Sequence, residues 1–188
     1  MSTRTVPQGK AATFEEVAEL DADSQPGELD AGRWVPVTKN TFRHGQILLT
    51  VSAILRDFIR ANPDWRASAG DPGAKLAHAP DVLRGPDIAI LRKDRVPTGK
   101  GVEGWIEGAP EVAIEIVGDS QSVAELIRKS LEYLRAGARA VWILDPGPRS
   151  VIVITAAREP RVIGPEDTLE GDEALPGFAC RVADFFEE

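Results

Sequence analysis

Residues 111–144 read EVAIEIVGDSQSVAELIRKSLEYLRAGARAVWIL, and the order of elements that they predict identifies the fold class. It begins with an apolar, strand-like segment at 111–117, continues with a helical pattern at 120–135 and ends with a second apolar segment at 140–144. A strand, a helix and a strand in this order predict a right-handed βαβ unit, in which both strands are parallel and belong to one sheet.

The predicted helix over 120–135 has one stripe of residues at spacings of three and four. We expect its inner face to carry Val123, Ile127, Ser130, Leu131 and Leu134. Lys129 lies beside this stripe, four residues after Glu125, and this spacing by itself favours an ordinary surface ion pair.

Further elements are predicted on both sides of the βαβ unit. We expect a short helix at 13–20, a long amphipathic helix at 43–61 and strands at 33–37, 65–69, 87–91 and 151–154. The fold class is therefore α/β, with a mixed central β-sheet flanked by helices. Residues 1–12 are expected to be a disordered N-terminus, and 13–188 a single domain.

Composition excludes several classes of protein. The chain has 188 residues, 43% of them apolar, which fits one globular domain with a core of its own. Its single cysteine, Cys180, excludes an internal disulfide framework. The N-terminus has no apolar signal region and no apolar run approaches the ~20 residues of a membrane helix. We therefore expect a cytoplasmic protein without a membrane partner.

The formal net charge of −8 argues at first against a polyanionic partner. The charge is unevenly distributed, however: residues 33–100 carry 12 basic and 6 acidic side chains, whereas both ends of the chain are acidic. Five basic residues bracket the strand at 87–91, namely Arg84, Arg92, Lys93, Arg95 and Lys100. Each one alone is an ordinary solvated charge, but together they would suit a phosphate backbone. DNA is therefore not excluded, and weak, salt-sensitive binding in the basic middle is expected.

Two carboxylates are candidates for a metal site. Asp87 begins an apolar strand directly after Gly85-Pro86, and Glu115 lies inside an otherwise apolar strand, where a carboxylate is costly to bury without a partner. If the two strands are neighbours, both side chains can share a hard divalent cation such as Mg²⁺. A turn cap at Asp87 and a satisfied core carboxylate at Glu115 explain the same pattern equally well.

Four motifs in order carry a resemblance to a known family. They are GPDIAI at 85–90, APEVAIEI at 109–116, KSLEY at 129–133 and VWILDP at 141–146. With these motifs the chain resembles the Uma-type restriction endonuclease family, a former domain of unknown function within the PD-(D/E)XK nuclease superfamily. The resemblance extends over roughly residues 14–186 and implies that the α/β fold is a restriction-endonuclease-like core.

The resemblance implies a metal-dependent endonuclease that hydrolyses phosphodiester bonds of DNA with Mg²⁺ or Mn²⁺. It implies that Asp87 and Glu115, with the backbone carbonyl of Ile116, hold the metal. Lys129 matches the family's catalytic lysine, which in this family has moved from the strand to the following helix. The resemblance also implies supporting parts for Glu28 and His44, packing without a catalytic role for Tyr133, and by analogy a homodimer.

Two alternatives to a DNA endonuclease remain open. A catalytically inactive nuclease fold would bind nucleic acid or a protein partner, and a related hydrolase would act on another phosphate ester.

Three local signals point to no chemistry. The GKGVEG run at 99–104 matches a dinucleotide fingerprint, but no strand precedes it and no helix follows it, so we interpret it as a loop. Cys180 is expected to be a small buried hydrophobe, and His78 a loop residue.

Overall fold

The computed structural model describes residues 11–19, 27–118 and 121–187. Residues 1–10, most of the segment expected to be disordered, lie outside these ranges. Ala12 is buried, with 2% of its surface exposed, and its N–H donates to the carbonyl of Gly32 at 2.7 Å.

The described part of the chain contains three α-helices, and all three were predicted from the sequence. They are α1 Phe14–Ala18, α2 Phe42–Ala61 and α3 Val123–Arg135. A capping box formed by Thr13 and Glu16 starts α1, and a second one formed by Ser122 and Glu125 starts α3.

The strands in chain order are β1 Gly27–Asp30, β2 Arg33–Pro36, β3 Trp65–Ala69, β4 Ala74–Ala77, β5 Val82–Arg84, β6 Ile88–Arg92, β7 Ile106–Glu107, β8 Val112–Ile116, β9 Ala140–Asp145, β10 Ser150–Ile154, β11 Arg161–Ile163, β12 Thr168–Glu170 and β13 Ala179–Arg181. Short 3₁₀ turns at Lys93–Arg95, Gly101–Gly104 and Val182–Phe186 connect or follow them.

The central sheet has six strands in the order β11-β10-β9-β8-β6-β3. Strands β8 and β9 are parallel and joined through α3, which confirms the predicted unit, and every other pair in the sheet is antiparallel. The mixed sheet confirms the predicted fold class.

The strand ends form two opposite rims of this sheet, which we call its upper edge and its lower edge. At the upper edge, β8 and β9 end and β6 and β10 begin, so that Asp87, Ile116, Asp145 and Ser150 lie there. At the lower edge, β6 ends and β8 begins, next to the first residue of β3, Trp65.

The helices cover opposite faces of the central sheet. Helix α2 buries Ile47, Val51 and Leu55 in the main core, against alternate residues of the strands and the C-terminal 3₁₀ turn. Helix α3 packs Leu126 and Tyr133 against the other face. The side chain of Glu115 belongs to this second face, because successive residues of β8 point to opposite sides.

A second sheet, β2-β1-β5-β4-β7, was not predicted beyond its strand β2. Its strands have two to four residues, too few to show the alternation of apolar and polar residues that identifies a strand. The acidic segment 166–174 contains β12, whose Leu169 is fully buried.

Among the described residues, no helix combines the length and the apolar character needed to cross a membrane.

Candidate functional site

Asp87 and Glu115 come together at the upper edge of the central sheet. Strands β6 and β8 are antiparallel neighbours with Ile88 opposite Ile114, so Asp87, one residue earlier, lies beside Glu115, one residue later. Asp87 is 6% exposed and Glu115 is 2% exposed. Two carboxylates that are 28 residues apart in sequence are thus buried on neighbouring strands.

Both oxygens of the Asp87 carboxylate have a partner. Oδ2 accepts the backbone N–H of Ile116 at 2.6 Å, and Oδ1 lies 3.1 Å from Nε2 of His44. His44 is buried in the first turn of α2, where the hydroxyl of the N-cap Thr41 accepts its N–H. Burial acts to lower the pKa of His44, but the bond to Asp87 and its charge together raise it. Helix α2 therefore fixes the orientation of Asp87.

The Glu115 carboxylate has two donors on the same oxygen. The hydroxyl of Tyr133 donates to Oε1 at 2.9 Å, and Nζ of Lys129 lies 3.0 Å from Oε1. Burial raises the pKa of Glu115 to about 7, an effect that the charge of Lys129 opposes. These bonds hold the carboxylate through Oε1 and leave Oε2 free of both donors.

Lys129 is buried, contrary to the surface pair that its spacing favoured. Only 7% of it is exposed, and Nζ lies 2.7 Å from Oε1 of Glu28 and 3.0 Å from Oε1 of Glu115. Burial acts to lower the pKa of Lys129, but these carboxylates raise it above its ordinary value. Glu125, the expected partner, instead closes the capping box with Ser122.

The inner face predicted for α3 is correct for Ser130 and Leu134 but wrong for Ile127 and Leu131. The buried residues are Leu126, Lys129, Ser130 and Tyr133, whereas Ile127 and Leu131 are 38% and 43% exposed. The helix is rotated so that a lysine and a tyrosine face the carboxylates of the sheet, which apolar spacing alone does not indicate.

Glu28 connects this site to a second charged cluster. Its Oε1 contacts Lys129 and accepts the N–H of Gly85 at 3.0 Å, while Oε2 lies 3.4 Å from Arg84. Gly85 also offers its carbonyl to Lys129 at 3.3 Å. A Cβ at Gly85 would lie 3.1 Å from the carbonyl oxygen of Asp71, so the backbone can approach this closely only without a side chain.

Arg84 is the centre of that second cluster. It is 3% exposed and contacts three carboxylates, those of Glu28, Asp30 and Glu132, at 3.4, 2.9 and 2.7 Å. Burial acts to lower its pKa, but Glu28 and Glu132 raise it. Arg84 thus holds Glu28, which in turn holds Lys129.

Comparison with protein families identifies the chain. The model of the Uma2 family, described as "Putative restriction endonuclease", matches residues 12–183. The chain belongs to the Uma2 family. No curated protein matches it.

A solved structure supports the fold of this Uma2 chain. A crystal structure described as a "putative nuclease belonging to DUF820" from Anabaena variabilis superimposes with a TM-score of 0.78 at 21% sequence identity. The match covers 93% of this chain and 97% of that one. The fold is therefore that of restriction-endonuclease-like nucleases.

The five side chains that the sequence assigned to the candidate site, Glu28, His44, Asp87, Glu115 and Lys129, lie together in the Uma2 fold. His44 holds Asp87, and Glu28 and Glu115 hold Lys129. Sequence reasoning missed two residues of the cluster. Arg84 was assigned to the surface, and Tyr133 is buried as a packing residue should be, but its hydroxyl also orients Glu115. A signal for Tyr133 was present, because it follows Lys129 by four residues on the same helix face.

Of the basic residues expected to bind phosphate, Arg84 lies in the carboxylate cluster but is neutralised by its three acids. Arg92 and Lys93 lie at the lower edge, where Arg92 stacks on Trp65 at 4.7 Å, and Arg95 pairs with the buried Glu111 at 2.9 Å. Arg92 and Lys93 therefore do not join Arg84 in one phosphate-binding surface at the carboxylates, because Asp87 and Arg92 are at opposite ends of one strand.

The local signals set aside have no part in the cluster. The GKGVEG run ends in a 3₁₀ turn and is followed by a two-residue strand, as a loop would be. His78 lies in a loop, 3.1 Å from Glu107. Cys180 is half-buried against the main core, and burial raises the pKa of its thiol to about 11.

The raised pKa of Glu115 predicts a pH-dependent contribution to stability. Between about pH 4.5, its ordinary pKa, and about pH 7, the folded chain binds one proton more than the unfolded chain. The free energy of unfolding that Glu115 contributes is therefore highest at low pH and falls as pH rises through this window, by up to about 3 kcal/mol.

Urea titrations in EDTA between pH 5 and pH 8 measure this contribution as the difference between the wild type and Glu115→Gln. We expect the free energy of unfolding of the wild type to fall relative to that of Glu115→Gln as pH rises. Parallel stability curves would show that Glu115 has an ordinary pKa in the folded chain.

Proposed function

We propose that this Uma2 chain is a metal-dependent endonuclease that hydrolyses phosphodiester bonds of DNA with Mg²⁺ or Mn²⁺. One observation carries the proposal: two buried carboxylates, Asp87 and Glu115, meet at the upper edge, and a buried ammonium, Lys129, lies on one of them. Burying acids side by side is costly, and a divalent cation is the partner that would make it favourable.

The residues present fit a hard cation. Oε2 of Glu115 is free of the bonds from Tyr133 and Lys129, and the carbonyl of Ile116 points to the same side of β8 as its N–H, toward Asp87. Within the described ranges no group of three or more His, Cys, Asp or Glu side chains could hold a metal. A site with two carboxylates suits Mg²⁺, which completes its shell with water and substrate phosphate.

Each residue of the cluster has a distinct proposed role. The metal, when bound, would acidify a water and stabilise the charge that develops on the phosphate. Asp87 and Glu115 would hold it, and His44 and Tyr133 would keep those two carboxylates in position. Lys129 would place a fixed positive charge where negative charge develops in the transition state. Glu28 would position Lys129.

Incubation of the purified protein with supercoiled plasmid tests this proposal. We expect nicked and linear DNA with Mn²⁺ or Mg²⁺, and intact DNA when EDTA removes the metal. Binding of DNA without cleavage in either metal would instead support the inactive nuclease fold. Cleavage of small phosphodiesters but not of DNA would indicate another phosphate ester as the substrate. A homodimer stays a prediction, and light scattering would test it by measuring the molar mass in solution.

A further inference from the structure

A cleft of about 430 Å³ opens at the upper edge, beside the proposed metal site. Arg43, Arg149, Phe186 and Glu187 line it. It lies between the N-terminus of α2, the turn that joins β9 to β10, and the C-terminal 3₁₀ turn. None of its residues belongs to the carboxylate cluster.

The cleft is close enough to the carboxylates for one nucleic-acid strand to reach both. Arg43 precedes His44, which holds Asp87, and its Nη2 donates to the carbonyl of Pro146 just after β9, at 3.2 Å. The end of β9 is two strand spacings from the start of β6, which is about 10 Å. A nucleic-acid strand of a few nucleotides spans this distance, since its phosphates are spaced by ~3.4 Å or more.

The two arginines of the cleft have charges available for an anion. Both are exposed, and Nη2 of Arg149 contacts only carbonyl oxygens, those of Ala183 at 3.4 Å and Phe186 at 3.5 Å. Within the described residues neither guanidinium forms an ion pair, unlike those of Arg84 and Arg95. A guanidinium has five N–H donors, so most remain free.

Two further features set the electrostatics of the cleft. The N-terminus of α2 has no acidic residue in its first turn and adds a partial positive charge. Glu187 supplies one opposing negative charge. The sum is positive, in contrast to the neighbouring carboxylate cluster.

We propose that a nucleic-acid strand leaving the metal site crosses the upper edge toward the β9–β10 turn, where Arg43 and Arg149 bind its phosphates. This inference rests on the proposed function and adds the direction in which the substrate runs. It also replaces the basic residues of the lower edge as the phosphate-binding surface.

The test measures binding of a fluorescent 20-base-pair duplex by anisotropy, in Ca²⁺ so that binding is read without turnover, over a range of salt concentrations. For Arg43→Ala/Arg149→Ala we expect affinity to fall on the order of 10- to 100-fold and the salt slope to decrease by about 2, because two phosphate contacts are lost.

A control variant with the same change in charge is Arg60→Ala/Lys93→Ala. Arg60 ends α2 roughly 26 Å from Arg43, and Lys93 lies at the lower edge, so we expect affinity within twofold of the wild type. Arg43→Lys/Arg149→Lys keeps both charges and should restore the slope, which separates loss of phosphate contacts from loss of folding.

The outcomes separate this inference from the proposed function. A wild type that cleaves DNA, with an unchanged salt slope in Arg43→Ala/Arg149→Ala, would overturn the inference and leave the nuclease intact. A wild type that neither binds nor cleaves DNA in any metal would overturn both. An equal loss of affinity in the control variant would also contradict the inference, because binding would then follow net charge alone.

Discussion

Replacing Glu115 by glutamine is expected to lower metal-dependent DNA cleavage by about 1000-fold or more. The amide keeps the size of the side chain and its bonds to Tyr133 and Lys129 through an oxygen, but it removes the negative charge that would hold the cation. Loss of metal stabilisation is worth several kcal/mol, and each 1.4 kcal/mol corresponds to a factor of ten in rate. Initial rates of plasmid nicking at saturating Mn²⁺ measure the effect.

The matched control is Glu107→Gln. Glu107 is a carboxylate with 66% of its side chain exposed and is paired with Lys75 in the second sheet, outside the cluster. We expect its cleavage rate to stay within twofold of the wild type and its affinity for Mn²⁺ to be unchanged, whereas calorimetry should show weakened Mn²⁺ binding by Glu115→Gln. Equal cleavage by the wild type and Glu115→Gln would mean that the activity belongs to a contaminant or that the site is assigned wrongly.

Replacing Arg84 by methionine is expected to lower the free energy of unfolding by about 3 kcal/mol. The substitution leaves Glu28, Asp30 and Glu132 without their shared counterion, and breaking a buried pair in this way costs about 3–5 kcal/mol. The lower end of that range applies because the three side chains are 14%, 32% and 20% exposed and water can solvate them in part.

Urea denaturation at pH 7 measures this loss against Arg128→Met as a control. Arg128 also pairs with Glu132, at 2.8 Å, but its side chain is 61% exposed, so we expect a cost of about 0.5 kcal/mol or less. Equal stability of the two variants would show that the Arg84 cluster is no more than a surface network. Because Arg84 holds Glu28 and Glu28 holds Lys129, cleavage should also fall in Arg84→Met at temperatures where it is fully folded.

Most of the central sheet could be predicted from the sequence. Strands β8, β9 and β10 are almost continuously apolar, and α2 has a regular apolar stripe, so each element shows its own period. Apart from β2, the second sheet could not be predicted, because its strands are too short to show a period. Its hairpins β1–β2 and β4–β5 are joined to each other and to β7 only by pairings between segments distant in sequence.

The candidate site also contains residues that could be recognised from the sequence and one that could not. Asp87 and Glu115 were recognisable because one carboxylate begins an apolar strand and the other lies inside one. That the two strands are neighbours, so that the carboxylates meet, comes from the structure. Lys129 was not recognisable from spacing, since a lysine beside an apolar stripe is normally a surface residue. Its burial depends on Glu28, which lies on a strand about a hundred residues earlier in the chain.

Most strands of the central sheet, the long helix and the two candidate acids could therefore be predicted from the sequence, because hydrophobic periodicity and a carboxylate in an apolar segment are local properties. Which charges are neutralised and which remain available depends on the tertiary structure. It buried Arg84 among three acids, placed Arg92 and Lys93 at the far end of the sheet, and left Arg43 and Arg149 exposed beside the carboxylates. The physical reason is that Coulomb interactions depend on distance in space, and the fold brings together residues that the sequence separates.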